Sequence, residues 1–446
     1  MNTEKRLKKI QKIGYGLGDF GSNFSWTFIS SFIMLYCTNI IKIDPAIIGS
    51  LFMISKIFDG ISDIIMGRII DKTNTKIGKA KIWYLISSLP TAVFTYLLFN
   101  VGENFSQNGK YIYIFVIYTL VGTIFYTMNN ISYSALTALC TKNKEDRIEM
   151  GSFRYFFAMI AIVFINSYTL NLIDYFGEGK KAWSKLALIY SIIALMFLLI
   201  PVFSVDEIID EGKDKNNDLK FIQSLKILFK NKYFILIFLL HIFTYLSIAL
   251  SSTMVVYFAK YILKNTNRLI TINIFTYLPT ICALPSISKL TKRFSMRNSA
   301  IFGHMISLIG GFILIFSLII KSFKLLLLGI FLKSLGTTPQ TGVLNAMIAE
   351  VDDYSFLKFG KKLTGTIYSS VTFSVKLGSG IGIFLSGILL KIGKFDGEIL
   401  IQGKKALEII SYSYIFSLAF IPIISLIVFY FLDVEKVNKN IKNHNF

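Results

Sequence analysis

Residues 46–69, AIIGSLFMISKIFDGISDIIMGRI, decide the fold of this protein. The run is long enough to cross a lipid bilayer as a helix, which takes about 20 predominantly apolar residues. It nevertheless carries Lys56, Asp59 and Asp63 in its middle. Charge at membrane depth is costly, so each of these side chains must face protein or a water-filled cavity. The stretch therefore predicts a membrane-spanning helix with a polar face.

The composition of the whole chain agrees with a protein embedded in lipid. Residues of the AVILMFWYC set make up 54% of the 446 residues and charged residues only 16%, whereas soluble proteins contain about 25% charged residues. A net charge of +21 would suggest nucleic-acid binding in a soluble protein. In a membrane protein it is charge in the loops, and we expect no nucleic-acid partner.

Apolar runs of spanning length recur along the chain and predict an all-α membrane protein with twelve transmembrane helices. A long polar stretch at 205–232 separates the first six runs from the last six. We therefore predict an N-terminal six-helix bundle at 1–204, a cytoplasmic loop at 205–232 and a C-terminal six-helix bundle at 233–446. The runs lie at 14–41, 46–69, 82–101, 111–138, 152–173, 183–204, 233–262, 269–290, 299–320, 323–350, 363–390 and 409–432.

The distribution of lysine and arginine predicts the orientation of these helices. Basic residues concentrate before the first run, after the second and fourth runs and in the 205–232 stretch. Basic loops stay in the cytoplasm, so we expect a multi-pass protein of the cell membrane with both termini cytoplasmic. The first run contains Asp19 and Asn23 and is too long for a removable signal peptide.

The acidic pair of the second run predicts a cation site. Asp59 and Asp63 are four residues apart and share a helix face, with Lys56 on the same side. Two carboxylates in a low dielectric bind a proton or a cation, or pair with a basic residue. Ser62 and Thr127 offer neutral oxygens that would complete a Na⁺ shell. The alternative is a structural salt-bridge cluster between helices.

Other polar residues at predicted membrane depth are candidates for a ligand site. Lys376 lies in the middle of the eleventh run with Thr372 one turn before it, and it either balances the acidic pair or snorkels to an interface. Arg154 either snorkels or supplies donors to a polar ligand. Asn23 and Asn130 either line a cavity for a hydroxylated ligand or bond between helices.

Two motifs around the second run resemble known transporters. Gly67-x-x-x-Asp71-Lys72 resembles the loop motif of the major facilitator superfamily. Asp59-x-x-x-Asp63-x-x-x-Gly67 resembles the signature of the glycoside–pentoside–hexuronide:cation symporters. Further matches to that family are Asp71-x-Thr73, Gly78-Lys79, Trp83, Arg154, Ala349-Glu350-x-x-Asp353-Tyr354 and Tyr368 to Lys376.

The resemblance implies the major facilitator fold and cation-coupled symport of a sugar or glycoside by alternating access, without a cofactor. The family's cation ligands, which bind Na⁺, Li⁺ or H⁺, correspond to Asp59, Asp63 and Thr127. Its sugar-side residues correspond to Arg154, Thr372 and Lys376. Gly67, Asp71 and Lys72 correspond to its conformational motif. We expect a monomer that binds a small molecule, a coupling cation and the bilayer.

Departures from the family's melibiose-transporting member concern the sugar pocket. Asn23 and Asn130 stand where that protein has aspartates, and Ser134 and Thr341 stand where it has aromatic residues. An amide both donates and accepts, whereas an ionised carboxylate only accepts. A galactoside is therefore a poor match, and another sugar, a uronide or a different polar solute remains open.

Other classes of function stay open on the sequence. The main alternative is a transporter of the same fold for a lipid-like or other amphipathic solute. A membrane enzyme is disfavoured because no nucleophile–base pair or metal-ligating cluster occurs in the sequence. A sensor derived from a transporter would usually carry an added soluble domain.

Overall fold

The structure is a computed structural model, and it describes residues 6–141, 143–208, 226–360, 363–399 and 401–444. These residues form helices joined by short connections. Most of the 205–232 stretch lies outside the described residues. The predicted division at that stretch stays a prediction.

Helices α1 to α7 account for most of the chain before residue 205. Short π-helical segments follow α1 at Tyr36–Ile40 and join α4 to α5 at Leu120–Tyr126. The helices are α1 Lys9–Leu35, α2 Pro45–Lys72, α3 Lys81–Leu98, α4 Gln107–Thr119, α5 Thr127–Leu139, α6 Lys144–Tyr175 and α7 Gly179–Ser204.

Helices α8 to α16 follow residue 231. A π-helical segment at Phe258–Ile262 extends α8, and a 3₁₀ turn at Leu284–Ser286 separates α9 from α10. The helices are α8 Lys232–Tyr257, α9 Arg268–Ala283, α10 Ile287–Phe294, α11 Met296–Ile320, α12 Phe323–Phe359, α13 Thr364–Ile392, α14 Lys404–Ala419, α15 Ile421–Phe431 and α16 Val434–His444.

Seven helical segments of the described residues are long and apolar enough to cross a membrane. This establishes a multi-pass, all-helical protein, and the count of twelve spans stays a prediction. The seven segments are Gln107–Thr137, Glu149–Tyr175, Gly179–Ser204, Lys232–Ile262, Met296–Ile320, Gly365–Ile392 and Lys404–Ile441.

The chain forms two compact units. The first comprises Met1–Lys213, Ala259–Ile270 and Ile383–Leu407, and the second comprises Asp214–Phe258, Thr271–Gly382 and Glu408–Phe446.

Small residues allow helices to approach closely within each unit. In the first unit, a Cβ added at Gly21 of α1 would lie 2.7 Å from the carbonyl oxygen of Ala194 in α7. In the second unit, a Cβ at Gly303 of α11 would lie 2.4 Å from the carbonyl oxygen of Gly336 in α12. Such contacts are typical of membrane helices, where packing without voids replaces the hydrophobic effect as the main attraction.

An ion pair joins the starts of α1 and α6. Lys12 Nζ lies 2.6 Å from Asp146 Oδ1, and the Leu7 amide donates to Asp146 Oδ2 at 3.0 Å. Burial raises the pKa of the Asp146 carboxyl, but the hydrogen bonds from Lys12 and then from Leu7 outweigh it and hold that pKa below its ordinary value. The carboxylate is therefore ionised at neutral pH and fixes both helices at this end of the first unit.

Candidate cation and substrate site

Asp59 in the middle of α2 forms a buried ion pair with Lys56 of the same helix. Lys56 Nζ lies 2.9 Å from Asp59 Oδ2, and the two residues are only 6% and 3% exposed. The ammonium group also lies 3.8 Å from the centre of the Trp26 ring, which comes from α1. The ring's negative face stabilises the cation and fixes its position beside the carboxylate.

Two hydroxyl groups complete the surroundings of Asp59. The Thr127 hydroxyl donates to Asp59 Oδ1 at 2.6 Å. The Ser62 hydroxyl donates to the backbone carbonyl of Asp59 at 2.9 Å and lies 3.4 Å from the Thr127 hydroxyl. The structure thus brings together three of the four residues predicted for a cation site, Asp59, Ser62 and Thr127, and places Lys56 beside them. Asp63 follows one turn later on α2 and is half-buried.

Arg154 of α6 forms the second charged cluster of the first unit. Its Nε donates to Asp19 Oδ2 of α1 at 2.6 Å, and its guanidinium carbon lies 4.2 Å from the centre of the Tyr133 ring. Within the part of the chain that the structure describes, the two terminal Nη groups have no protein acceptor. The guanidinium group is therefore held in place with donors left for a ligand.

The predicted asparagines behave differently from one another. Asn23 of α1 donates to the Asp19 carbonyl at 2.7 Å and is half-buried. The side chain of Asn130 on α5 is also half-buried and makes no protein hydrogen bond among the described residues. Its neighbour Asn129 is fully buried and donates to Ser87 of α3 at 3.1 Å. Asn129 therefore joins helices, whereas Asn130 is free to meet a ligand.

Helices α1 and α5 run antiparallel and place these groups in sequence along the unit. Contacts pair Tyr15 with Tyr133, Ser22 with Asn129 and Trp26 with Tyr126. Residue numbers therefore rise along α1 in the direction in which they fall along α5. The Arg154 cluster lies at the Tyr15 and Tyr133 level, the Asp59 cluster at the Trp26 and Thr127 level. Asn23 and Asn130 occupy the level between them.

The two other predicted sugar-site residues, Thr372 and Lys376, lie more than 200 positions after the two clusters in the sequence. Thr372 of α13 is exposed, and its hydroxyl donates to the Tyr368 carbonyl at 3.1 Å. Lys376 is half-buried one turn later, and both residues belong to the second unit.

The predicted conformational motif lies at the end of α2. Gly67 has open space around the position of a Cβ, and Lys72 is exposed in the last turn of the helix. The side chain of Asp71 lies outside the described part of the chain. The role of this motif stays a prediction.

Sequence reasoning missed two residues that the structure places at the site. Asp19 is the carboxylate partner of Arg154, and Trp26 is the ring that contacts Lys56. The one available signal was spacing, because Asp19, Asn23 and Trp26 follow one another at helical intervals of four and three residues on α1.

The Asp59 cluster offers several oxygen atoms close together. Carboxylate, hydroxyl and carbonyl oxygens are ligands that hard cations prefer. A buried ion pair stabilises a fold weakly, because the cost of desolvating both charges offsets their attraction. Burial of several charged groups between membrane helices is typical of ion and substrate pathways. The fold and the buried charged clusters are those expected of a multi-pass membrane transporter.

Comparison with known proteins places the chain within this class. A family described as MFS/sugar transport protein matches residues 14–436, and the chain belongs to that family of the major facilitator superfamily. An isoprimeverose transporter of Lactiplantibacillus pentosus is 28% identical over 435 residues, covering 96% of this chain and 89% of that protein. A putative glycoside/cation symporter of Escherichia coli K12 is 24% identical over 411 residues, covering 91% and 87% respectively.

A solved structure supports the same fold. The structure of a bacterial homologue of the human drug peptide transporters matches with a TM-score of 0.67 at 13% identity, covering 98% of this chain and 99% of that one. At this identity the likeness concerns the fold alone. The predicted family resemblance is confirmed, and the individual site residues stay predictions.

Proposed function

We propose that this protein is a symporter that couples the movement of Na⁺, Li⁺ or H⁺ to uptake of a sugar or glycoside by alternating access. The observation that carries the proposal is the buried cluster of Lys56, Asp59 and Thr127 on the α2 and α5 helices. The names of the two relatives, an isoprimeverose transporter and a putative glycoside/cation symporter, support the solute and the coupling.

The proposed coupling site uses Asp59 and Asp63 as charged ligands, with Thr127 and Ser62 as neutral ones. When the coupling cation enters, it competes with the Lys56 ammonium group for Asp59. The Thr127 hydroxyl rotates so that its oxygen faces the cation, because a hydroxyl group both donates and accepts. The cation then balances the charge of Asp59 in place of the lysine.

The proposed sugar site begins at Arg154 and continues through Asn130 and Asn23. The Nη groups of Arg154 donate to a sugar oxygen, and the amides donate to and accept from hydroxyl groups. Thr372 and Lys376 are proposed ligands from the second unit. The helical register puts Asn130 one turn from Thr127, so substrate and cation would contact the same helix.

We further propose the membrane arrangement that the sequence predicts. Twelve helices cross the cell membrane, and both termini lie in the cytoplasm. The distribution of basic residues supports this orientation.

Replacement of the two carboxylates tests the coupling. Asp59→Asn and Asp63→Asn should each abolish cation-driven accumulation of radiolabelled sugar in proteoliposomes but preserve exchange of sugar across the membrane. The matched control is Asp206→Asn, because that carboxylate is 92% exposed and pairs with Lys81 of α3 rather than with a residue of the Asp59 cluster. Full accumulation by both site variants would refute the coupling assignment.

A ligand screen tests the solute class separately. Sugars and glycosides should raise the melting temperature of the purified protein, more so with Na⁺ than with an equal concentration of choline, because a ligand stabilises the state that binds it. Stabilisation by lysolipids and by no sugar would replace the sugar assignment with an amphipathic solute.

A further inference from the structure

The second unit contains a groove that none of the residues proposed for the cation and sugar sites lines. It has a volume of about 440 Å³ and lies where α9 and α10 meet α11 and α12. The predicted topology puts this end of the unit at the cytoplasmic surface of the membrane. Its lining combines a basic rim with an apolar floor.

Two cations form the rim. Lys289 and Arg293 are four residues apart on α10 and so share one face of that helix, and both are exposed. Across the described ranges of the chain, neither side chain has a carboxylate partner. Their positive charge is therefore available to an anion at this face.

Apolar side chains form the floor. Phe302 and Ile306 come from α11, and Leu335 and Pro339 come from α12. Phe302 is 58% exposed and belongs to a helix that is long and apolar enough to span the membrane. In a bilayer, hydrocarbon chains of lipid are the natural partners of such a surface.

We propose that this groove is a binding site for one anionic phospholipid. The phosphate-containing headgroup pairs with Lys289 and Arg293, and an acyl chain lies along Phe302 and Ile306. Basic pockets between membrane helices at a cytoplasmic surface recognise anionic headgroups by this combination of charge and apolar contact. A zwitterionic lipid such as phosphatidylcholine would make the same apolar contacts with the floor. Its positive choline group, however, would be repelled by Lys289 and Arg293.

Native mass spectrometry of the full-length protein measures the site directly. Protein released from detergent in the presence of equal phosphatidylglycerol and phosphatidylcholine should retain phosphatidylglycerol preferentially. The double variant Lys289→Gln/Arg293→Gln should bind it roughly 25-fold more weakly, since each basic residue near an anionic headgroup contributes on the order of a fivefold change in affinity.

A matched pair of lysines provides the control. Lys226 and Lys230 are exposed, are also four residues apart and do not line the groove. Lys226→Gln/Lys230→Gln removes the same charge from the same unit and should leave retention unchanged. Equal losses in the two double variants would reduce the effect to general surface charge and overturn the proposal, as would equal retention of both lipids by the unmodified protein.

A third variant separates the groove from its charges. Ser286 is exposed and lines the same groove. Ser286→Phe keeps both cations but fills the space for the acyl chain, so it should lower phosphatidylglycerol retention to the level of Lys289→Gln/Arg293→Gln. Unchanged retention in folded Ser286→Phe protein, as judged by helical circular dichroism, would show that the groove itself is not the site.

Discussion

The two oxygens of Asp59 have different partners, one an ammonium group and the other a hydroxyl group. Lys56 belongs to the protein, so the charge it supplies is present whether or not a coupling ion is bound. In the proposed coupling site, a lysine at this position makes binding of the coupling ion an exchange of one cation for another. Affinity for the ion then depends on how strongly Trp26 and Asp59 hold the lysine.

Removal of this lysine should strengthen cation binding. Lys56→Met keeps a similar volume but leaves Asp59 without its ammonium partner, and breaking one side of a buried pair costs about 3–5 kcal/mol. We expect a lower melting temperature without Na⁺ and a roughly tenfold lower Na⁺ concentration for half-maximal stabilisation. Lys9→Met, at the exposed start of α1, is the control. A Na⁺ dependence identical to that of the unmodified protein would contradict the exchange.

Arg154 should bind substrate through its shape as well as its charge. In Arg154→Lys the charge opposite Asp19 remains, but the two planar Nη groups are lost. Loss of a hydrogen bond from a charged group costs about 1.5–3 kcal/mol, so affinity for the transported sugar should fall roughly ten- to a hundredfold in isothermal titration. Arg147→Lys is a suitable control. Arg147 lies near the start of α6, and its Nε donates to the carbonyl of Thr141, which precedes that helix. Equal affinities for Arg154→Lys and the unmodified protein would exclude Arg154 from the site.

At the scale of helices, a carboxylate outside α3 caps the start of that helix. Glu207 accepts hydrogen bonds from the backbone amides of Lys79 and Ala80 at 2.8 Å and of Lys81 at 2.5 Å. The first amides of a helix lack intrahelical partners and carry partial positive charge. Glu207 thus joins the chain after α7 to the start of α3. A Cβ at Gly78, where φ is +118°, would lie 2.4 Å from this carboxyl group.

Loss of this cap should destabilise the first unit. Glu207→Ala removes three charge-assisted bonds to amides, and we expect a loss of about 2 kcal/mol in stability to chemical denaturation. The neighbouring Asp206→Ala removes a 92% exposed carboxylate from an ion pair with Lys81, which keeps its hydrogen bond to the Val205 carbonyl, and should cost less than about 1 kcal/mol. A smaller effect for Glu207→Ala than for Asp206→Ala would show that the amides are satisfied in another way.

An interruption of a regular helix shows why the contact of Thr127 with Asp59 could not be predicted from the sequence. The second run was predicted at 46–69 and lies within α2, because period and length suffice to define such a helix. The run at 111–138 was predicted as one regular helix, yet a π-helical segment at Leu120–Tyr126 precedes Thr127. Each π turn shifts the register of the residues that follow, so the contact of Thr127 with Asp59 depends on a local geometry that apolar patterning does not reveal.

Proline explains a second difference between prediction and structure. The run at 269–290 was predicted as one helix, and the structure divides it at the 3₁₀ turn Leu284–Ser286. Pro285 is the middle residue of this turn. A proline inside a helix removes a backbone donor and clashes with the preceding turn, so the helix is interrupted here. The pair of Asp19 with Arg154 illustrates a different limit, because the two residues are 135 positions apart and only the tertiary fold brings them together.

At the scale of the whole molecule, the first unit contains both charged clusters. Asp59, Arg154 and the asparagines all belong to it, whereas Thr372 and Lys376 belong to the second unit. Composition and hydropathy were sufficient to predict a helical membrane protein, since a chain that is 54% apolar can bury itself only in lipid. The assignment of residues to units depends on tertiary contacts, which periodicity does not encode.

The orientation of the chain should follow its basic loops. In a Cys282→Ser background, the remaining Cys37 and Cys140 are buried, so a new cysteine dominates labelling. A membrane-impermeant maleimide added to intact cells should label Asn108→Cys, which is exposed in a predicted outer loop, and should miss Lys230→Cys, which is exposed on the predicted cytoplasmic side. Permeabilised cells should label both, because both positions reach water. Labelling of Lys230→Cys and protection of Asn108→Cys in intact cells would reverse the topology, since loop charge would then have failed to keep its segments in the cytoplasm.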